Sequence, residues 1–139
     1  MIKNDKRNEI IRAFRKFARL GLANCELNPI QVYKKIDVLC TSRRSMLDMF
    51  AVFDTLRLLA LDDDNETLDA IYKVYFVNKT HRLTGREMSE CVSRVAAEYF
   101  CDDRTVYRRL EKARRIYERI REREGLILDG EYSLWNFKK

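Results

Sequence analysis

The fold is decided by residues 95 to 110, which read VAAEYFCDDRTVYRRL. Both ends of this stretch carry apolar residues four positions apart, which is the spacing of one helical face. Between them Asp102 follows a brief break and is a residue type that caps helix N-termini. Ala96 is small enough to let two helices cross closely. The stretch therefore predicts a fifth helix from about Gly85 to Phe100, a short turn, and a sixth helix from Asp102 to about Glu124.

The same stretch resembles the helix-turn-helix of sigma-factor region 4 and of small phage-type regulators such as the ArpU and RinA families. The residues on the positions expected for that motif are Val95, Ala96, Tyr99, Cys101, Thr105, Val106 and Leu110. Asp102 replaces the serine of the motif and is an equally good cap. Phe100 stands where the family usually has a glycine, because the backbone there is left-handed, so we expect a wider turn than usual. The resemblance implies a DNA-binding sixth helix and a phage or prophage origin.

The sixth helix carries an excess of positive charge. From Arg104 to Arg123 there are nine basic and three acidic residues, and this local excess of six equals the +6 of the whole chain. A solvated face with ion pairs at helical spacing, such as Glu111 with Arg115, is the alternative explanation. Some cations have no acidic residue three or four positions away, namely Arg104, Arg109, Lys112 and Arg123. Because pairing along the helix is incomplete, a polyanionic partner is favoured.

Helical geometry selects the residues that would face DNA. The buried stripe of the sixth helix is expected to consist of Val106, Leu110, Ala113 and Tyr117. Arginine can bond guanine through two N–H groups, threonine and tyrosine can contact thymine methyls, and other cations pair with phosphates. The candidate DNA-contacting residues are Arg104, Thr105, Tyr107, Arg108, Arg109, Lys112 and Arg115. For Tyr107, partial burial against the neighbouring helix is as strongly favoured as base contact.

The rest of the chain also predicts helices, because four glycines and one proline in 139 residues supply too few turns for a β-sandwich or barrel. The expected N-terminal helices are a basic one over residues 5–22, one that begins at Asn28-Pro29, a central core helix from Ser42 or Ser45 to Leu61, and one that begins at the acidic run 62–66. The inward residues of the second helix are expected to be Ile30, Tyr33, Ile36 and Leu39. The fold class is therefore all-α, a helical bundle with a C-terminal helix-turn-helix.

The apolar pattern is interrupted at residues 78–82, which is the best internal boundary. The expected divisions are an N-terminal helical bundle over residues 1–78, the helix-turn-helix over 84–124, and a C-terminal tail over 125–139. In the tail, Asp129-Gly130 lies between apolar alternations and is a hairpin signal. Alternatively, the tail folds back so that Trp135 and Phe137 enter the core, or it forms a partner surface. Docking onto its own domain is the favoured interpretation.

The sequence contains no recognisable catalytic apparatus. The only histidine, His81, has neither a triad partner nor a second metal ligand nearby in sequence, and the glycines are isolated, so that none forms a phosphate-binding loop. The acidic run at residues 62–66 lacks the ligand spacing and the central glycine of an EF-hand. We therefore expect no enzymatic activity, no cofactor and no metal site.

The remaining features bear on location and function. Composition predicts a soluble cytoplasmic protein, because the four cysteines form no Cys-x-x-Cys pair, the start has no apolar signal core, and no run of about 20 apolar residues is present. The resemblance implies that this cytoplasm is that of a bacterial host. The favoured function is a sequence-specific transcriptional regulator that binds double-stranded DNA. The alternative is a non-catalytic module that docks on RNA polymerase or another nucleic-acid-processing protein. A homodimer would suit a two-fold operator, whereas region-4-like modules can act as monomers.

Overall fold

The computed structural model describes residues 2–24, 28–77 and 82–137, and this part of the chain is all-α, as predicted, with no β-strand. Its α-helices are, in chain order, α1 (Ile2–Arg19), α2 (Pro29–Leu39), α3 (Arg43–Leu61), α4 (Asn65–Ala70), α5 (Gly85–Glu98) and α6 (Asp103–Phe137). A short 3-10 helix (Leu22–Asn24) follows α1, and a π-helical turn (Ile71–Tyr75) continues α4. Across these ranges we find no helix with the length and apolar character needed to cross a membrane.

Capping side chains explain where the helices begin. The side-chain oxygen of Asn28 accepts a hydrogen bond of 3.2 Å from an amide in the first turn of α2. At α3, Ser42 accepts one of 3.1 Å from the amide of Ser45, which decides between the two predicted caps. At α5, Thr84 and Glu87 form a reciprocal capping box, in which each side chain accepts from the backbone N–H of the other residue. The predicted starts of α2, α3 and α5 are confirmed.

Helix α3 is the centre of the core, as its apolar sequence predicts. It packs against α1, α2, α4 and α6. Its most deeply buried apolar side chains are Met49, Ala51, Val52, Phe53, Leu56 and Leu59. The same apolar interior continues from Phe14 of α1 to Val92 of α5 and Leu110 of α6. The N-terminal helices and the last two helices therefore share one core.

A buried arginine joins α1 to the π-helical turn. Arg15 donates two hydrogen bonds of 2.8 Å from Nη1, one to the carbonyl oxygen of Tyr75 and one to that of Val77. The last carbonyls of a helix lack partners in the helix itself, so the guanidinium satisfies groups that would otherwise be unpaired. Burial lowers the pKa of Arg15 from its ordinary value. The ring of Phe14 packs beside that of Tyr75, at 5.6 Å between centroids, so polar and apolar contacts hold the same junction.

The buried face of α2 differs from the prediction. Ile36 is buried as expected, but its buried neighbour on α2 is Val32, whereas Ile30 is 68 % exposed and Leu39 is also exposed. Tyr33 is exposed as well, although its ring contacts two phenylalanines of α3 edge-on. Residues 32 and 36 are four positions apart and therefore share one face, and this face turns toward α3.

The C-terminal tail also differs from the prediction. One helix runs without interruption from Asp103 to Phe137, so the hairpin interpretation of Asp129-Gly130 is wrong. Once a helix is nucleated, each added residue contributes another backbone hydrogen bond, and this cooperativity tolerates a glycine that costs about 1 kcal/mol. The side chains of residues 125–137 lie outside what the structure describes, so the expectation that Trp135 and Phe137 dock on the core stays a prediction.

Candidate nucleic-acid interface

Helices α5 and α6 are joined by a turn of four residues, 99–102. The amide of Cys101 donates to the carbonyl of Ala96 (3.0 Å) and the amide of Phe100 to that of Ala97 (3.3 Å). This pair of bonds defines a Schellman motif, whose left-handed position is usually glycine. Phe100 occupies that position with a φ of 52°. The expected widening of the turn is therefore wrong, because Phe100 itself adopts the left-handed conformation.

Contacts at the turn fix the start of α6 against α5. Asp102 caps α6 by accepting hydrogen bonds from the amide (2.9 Å) and the hydroxyl (2.7 Å) of Thr105. These bonds hold the pKa of Asp102 below its usual value. The hydroxyl of Ser93 on α5 donates to Asp103 at 2.8 Å. Ala96 is buried where the two helices meet, in the position that its small side chain predicted.

The direction in which α6 presents its side chains agrees with the sequence prediction. The predicted buried stripe is confirmed, since the residues enclosed in the core are Val106, Leu110, Ala113 and Tyr117. On the opposite face, Arg104 and Arg108 are exposed, and within the described residues neither forms an ion pair. Tyr107 lies between the two faces and is 39 % exposed. Two of the predicted cations are therefore open to a ligand.

The other predicted contact residues have partners in the protein. Thr105 is engaged in the cap described above. Arg115 forms an ion pair with Glu111 (2.8 Å) one turn earlier on α6, as the alternative interpretation expected, and it is 70 % exposed. Such exposed pairs at helical spacing contribute only about 0.3–0.5 kcal/mol, so they open readily for a stronger partner.

Arg109 and Lys112 are paired with the start of α4, which the sequence analysis did not foresee. Arg109 Nη2 lies 2.5 Å from Glu66 Oε2, and Lys112 Nζ lies 2.6 Å from Asp64 Oδ2. The guanidinium of Arg109 also lies over the ring of Tyr99, at 5.5 Å. Neither cation has an acidic residue three or four positions away along α6, as the sequence shows, so both partners come from a distant part of the chain. The partners belong to the acidic run 62–66, whose charge was the available signal.

An open cleft of about 330 Å³ separates the beginnings of α4 and α6. Its lining consists of Asp64, Glu66, Thr67, Thr105, Arg108, Arg109 and Lys112. Desolvation acts to raise the pKa of Asp64, but the hydrogen bonds from Lys112 and Thr67 outweigh it and leave that pKa below its usual value. The cleft therefore has charged walls of both signs, with the exposed side of α6 at its edge.

One exposed arginine extends the outward face beyond the predicted set. Arg119 is exposed and lies four residues after Arg115, so it continues the line of Arg104 and Arg108 along α6. We call these four residues, 104, 108, 115 and 119, the basic stripe. Other cations of α6 serve the fold instead, since Arg114 donates to the hydroxyl of Tyr75 (2.7 Å). The sequence signal for Arg119 was its helical spacing of four residues from Arg115.

In the part of the chain that the structure describes, no three His, Cys, Asp or Glu side chains form a group suited to a metal ion. His81 lies outside the described residues. Comparison of the chain with family models, with curated proteins and with solved structures finds no match.

Proposed function

We propose that the protein is a DNA-binding transcriptional regulator in which α5 and α6 form a helix-turn-helix and α6 enters the major groove. The observation that carries the proposal is the basic stripe of α6, at whose start Arg104 and Arg108 are exposed and form no ion pair with any residue that the structure describes. An α-helix fits the major groove, and exposed arginines in its first turns are the groups that read guanine. The left-handed turn at Phe100, where the region-4-like motif has its glycine, adds support.

The spacing of the basic stripe suggests a division of roles. Arg104 and Arg119 are about 22 Å apart along the helix axis, which exceeds the roughly 12 Å width of the major groove. On a specific site Arg104 and Arg108 would then contact base edges, whereas on a duplex of arbitrary sequence they would pair with the nearest phosphates. Arg115 and Arg119 would reach phosphates at the groove wall in both cases. Tyr107, being half-exposed beside Arg108, would contact a thymine methyl or the sugar edge.

The resemblance to sigma-factor region 4 and to phage-type regulators is part of the same proposal. It supports a small bacterial regulator of phage or prophage origin, acting in the host cytoplasm. The alternative function, docking on RNA polymerase, is favoured by a different observation. Phe100 is 97 % exposed at the tip of the turn, and an aromatic side chain in that position suits a protein partner.

The test is binding to a DNA duplex of arbitrary sequence, measured by fluorescence anisotropy over a salt series from about 50 to 200 mM. The variant is the double substitution Arg104→Ala, Arg108→Ala. The matched control is Arg44→Ala, Arg82→Ala, which removes the same charge from exposed positions outside α6. We expect strongly salt-dependent binding by the wild type and the control. The slope of log K against log salt is expected to be shallower by about 2 in the test variant.

Either of two results would contradict the proposal. If the wild type fails to bind duplex DNA at the lowest salt, the protein is not a DNA-binding regulator, and docking on RNA polymerase becomes the leading function. If the wild type binds but the test variant retains the slope of the control, DNA contacts another surface and α6 is not the reading helix.

A further inference from the structure

The acidic start of α4 lies directly against the proposed DNA-reading helix. Asp64 and Glu66 hold Lys112 and Arg109, at 2.6 Å and 2.5 Å between the charged atoms. These contacts join residues 48 and 43 positions apart in sequence. Both cations belong to the candidate DNA-contacting set, so two of its positive charges are already engaged by carboxylates of the same protein.

The carboxylate of Asp64 is also held in place by its hydrogen bonds as the N-cap of α4. It caps α4, accepting from the amide (3.2 Å) and the hydroxyl (2.8 Å) of Thr67. Its side chain is only 19 % exposed, so it does not turn away from Lys112 without losing the cap. The pair is therefore preorganised and stronger than a pair between two mobile surface side chains.

Arg109 is likewise held from several sides. Its side chain is 20 % exposed, and its guanidinium lies over the ring of Tyr99. Tyr99 itself donates a hydrogen bond to Asp69 of α4. Moving Arg109 toward a ligand outside the cleft would break contacts with both α4 and the turn before α6.

We infer that the acidic edge of α4, Asp64 and Glu66, takes the place of DNA phosphates against Lys112 and Arg109 and keeps these two cations out of the DNA interface. The inference rests on the proposed function. Exposed Asp62 and Asp63 precede this edge and add negative charge that repels a phosphate backbone. DNA then contacts α6 on the side of the basic stripe. The part of the affinity that comes from the DNA phosphate backbone, and does not depend on base sequence, is reduced.

The experiment neutralises the carboxylates of Asp64 and Glu66 while keeping side chains of nearly the same shape. The variant is Asp64→Asn, Glu66→Gln, since asparagine caps a helix as well as aspartate does. The matched control is Glu9→Gln, Asp37→Asn, which makes the same change in net charge at exposed positions and frees Arg44 from its pair with Glu9. Binding to a duplex of arbitrary sequence is measured by anisotropy over the same salt series.

Two released cations add two phosphate contacts. We expect the slope of log K against log salt to steepen by about 2 in the test variant, with affinity about tenfold higher at the low-salt end. The control is expected to change the slope by well under 1. If test and control variants give the same slope, the inference is wrong, while the proposed function stands as long as the wild type binds.

A second substitution keeps the inference testable should the double variant fold poorly. Lys112→Ala in the wild-type background is expected to leave the salt slope unchanged, whereas Arg108→Ala makes it shallower by about 1. Equal losses from both substitutions would mean that Lys112 already contacts phosphate, which overturns the inference alone. No binding by the wild type at any salt concentration overturns the proposed function and the inference together.

Discussion

Replacement of Phe100 by glycine is expected to stabilise the protein, although it removes a large aromatic side chain. Phe100 adopts a φ of 52°, and its side chain is 97 % exposed. In this conformation the Cβ of an L-residue is crowded by the neighbouring carbonyl, whereas glycine has no Cβ. Because the ring is almost fully exposed, its removal sacrifices very little burial.

The magnitude follows from two opposing effects. Relief of the left-handed strain is worth about 1–2 kcal/mol. The greater freedom of glycine in the unfolded chain offsets roughly 0.5–1 kcal/mol of this gain. We therefore expect Phe100→Gly to raise the free energy of unfolding by about 0.5–1 kcal/mol, which corresponds to a rise in Tm of about 2–4 °C in a protein of this size.

The assay is urea denaturation followed by circular dichroism at 222 nm. Phe100→Ala is the control, since alanine removes the ring but keeps the Cβ and therefore the strain. We expect this control to unfold within about 0.3 kcal/mol of the wild type. If glycine stabilises no more than alanine does, the strain argument is refuted, and a loss of stability in both variants would show that the ring contributes packing.

Two further predictions concern buried charges. Burial, followed by a hydrogen bond with Asp54 and its charge, raises the pKa of Glu124 to about 8 from an ordinary 4.5. The folded state therefore holds a proton that the unfolded state releases, and the free energy of unfolding falls as pH rises between these two values. Glu124→Gln is expected to flatten this slope and to be more stable than the wild type at pH 8. Equal slopes in the two proteins would contradict the assignment. Arg15→Met is expected to lower the free energy of unfolding by about 2–4 kcal/mol in urea titration, because the carbonyls of Tyr75 and Val77 lose their hydrogen-bond donor. A loss below about 0.5 kcal/mol would show that other donors replace the guanidinium.

The buried faces that follow from a regular local repeat of apolar residues could be predicted from the sequence. The buried stripe of α6 repeats at helical spacing over about three turns, so its inward direction followed from the pattern alone. In α2 the apolar residues lie on several sides, with Ile30 and Val32 about 200° apart around the helix, and only packing against α3 selects the face that is buried. A short helix with apolar residues on several sides does not carry that choice in its own sequence.

The candidate site shows the same division between local and distant information. Arg104 and Arg108 were predicted as exposed cations from their position opposite the buried stripe. The ion pairs of Arg109 and Lys112 were missed, because rules for spacing along a helix compare only residues within a turn of each other. The run of acidic residues before α4 was recognised as a helix start, but the fold is required to bring it beside α6.

Because the bundle has one shared interior, helices α5 and α6 are poorly suited to transfer into another protein as a separate unit. Leu110 and Val92 are buried in the same apolar interior as Phe14 of α1 and Val52 of α3. A segment cut at residue 82 would carry an uncovered hydrophobic face with nothing of its own to bury it. Recombination that grafts such a segment onto another protein would expose this face to aggregation. Under the proposed function, binding specificity is then exchanged more easily by substitution on the solvent side of α6 than by transfer of the helix pair as a portable module.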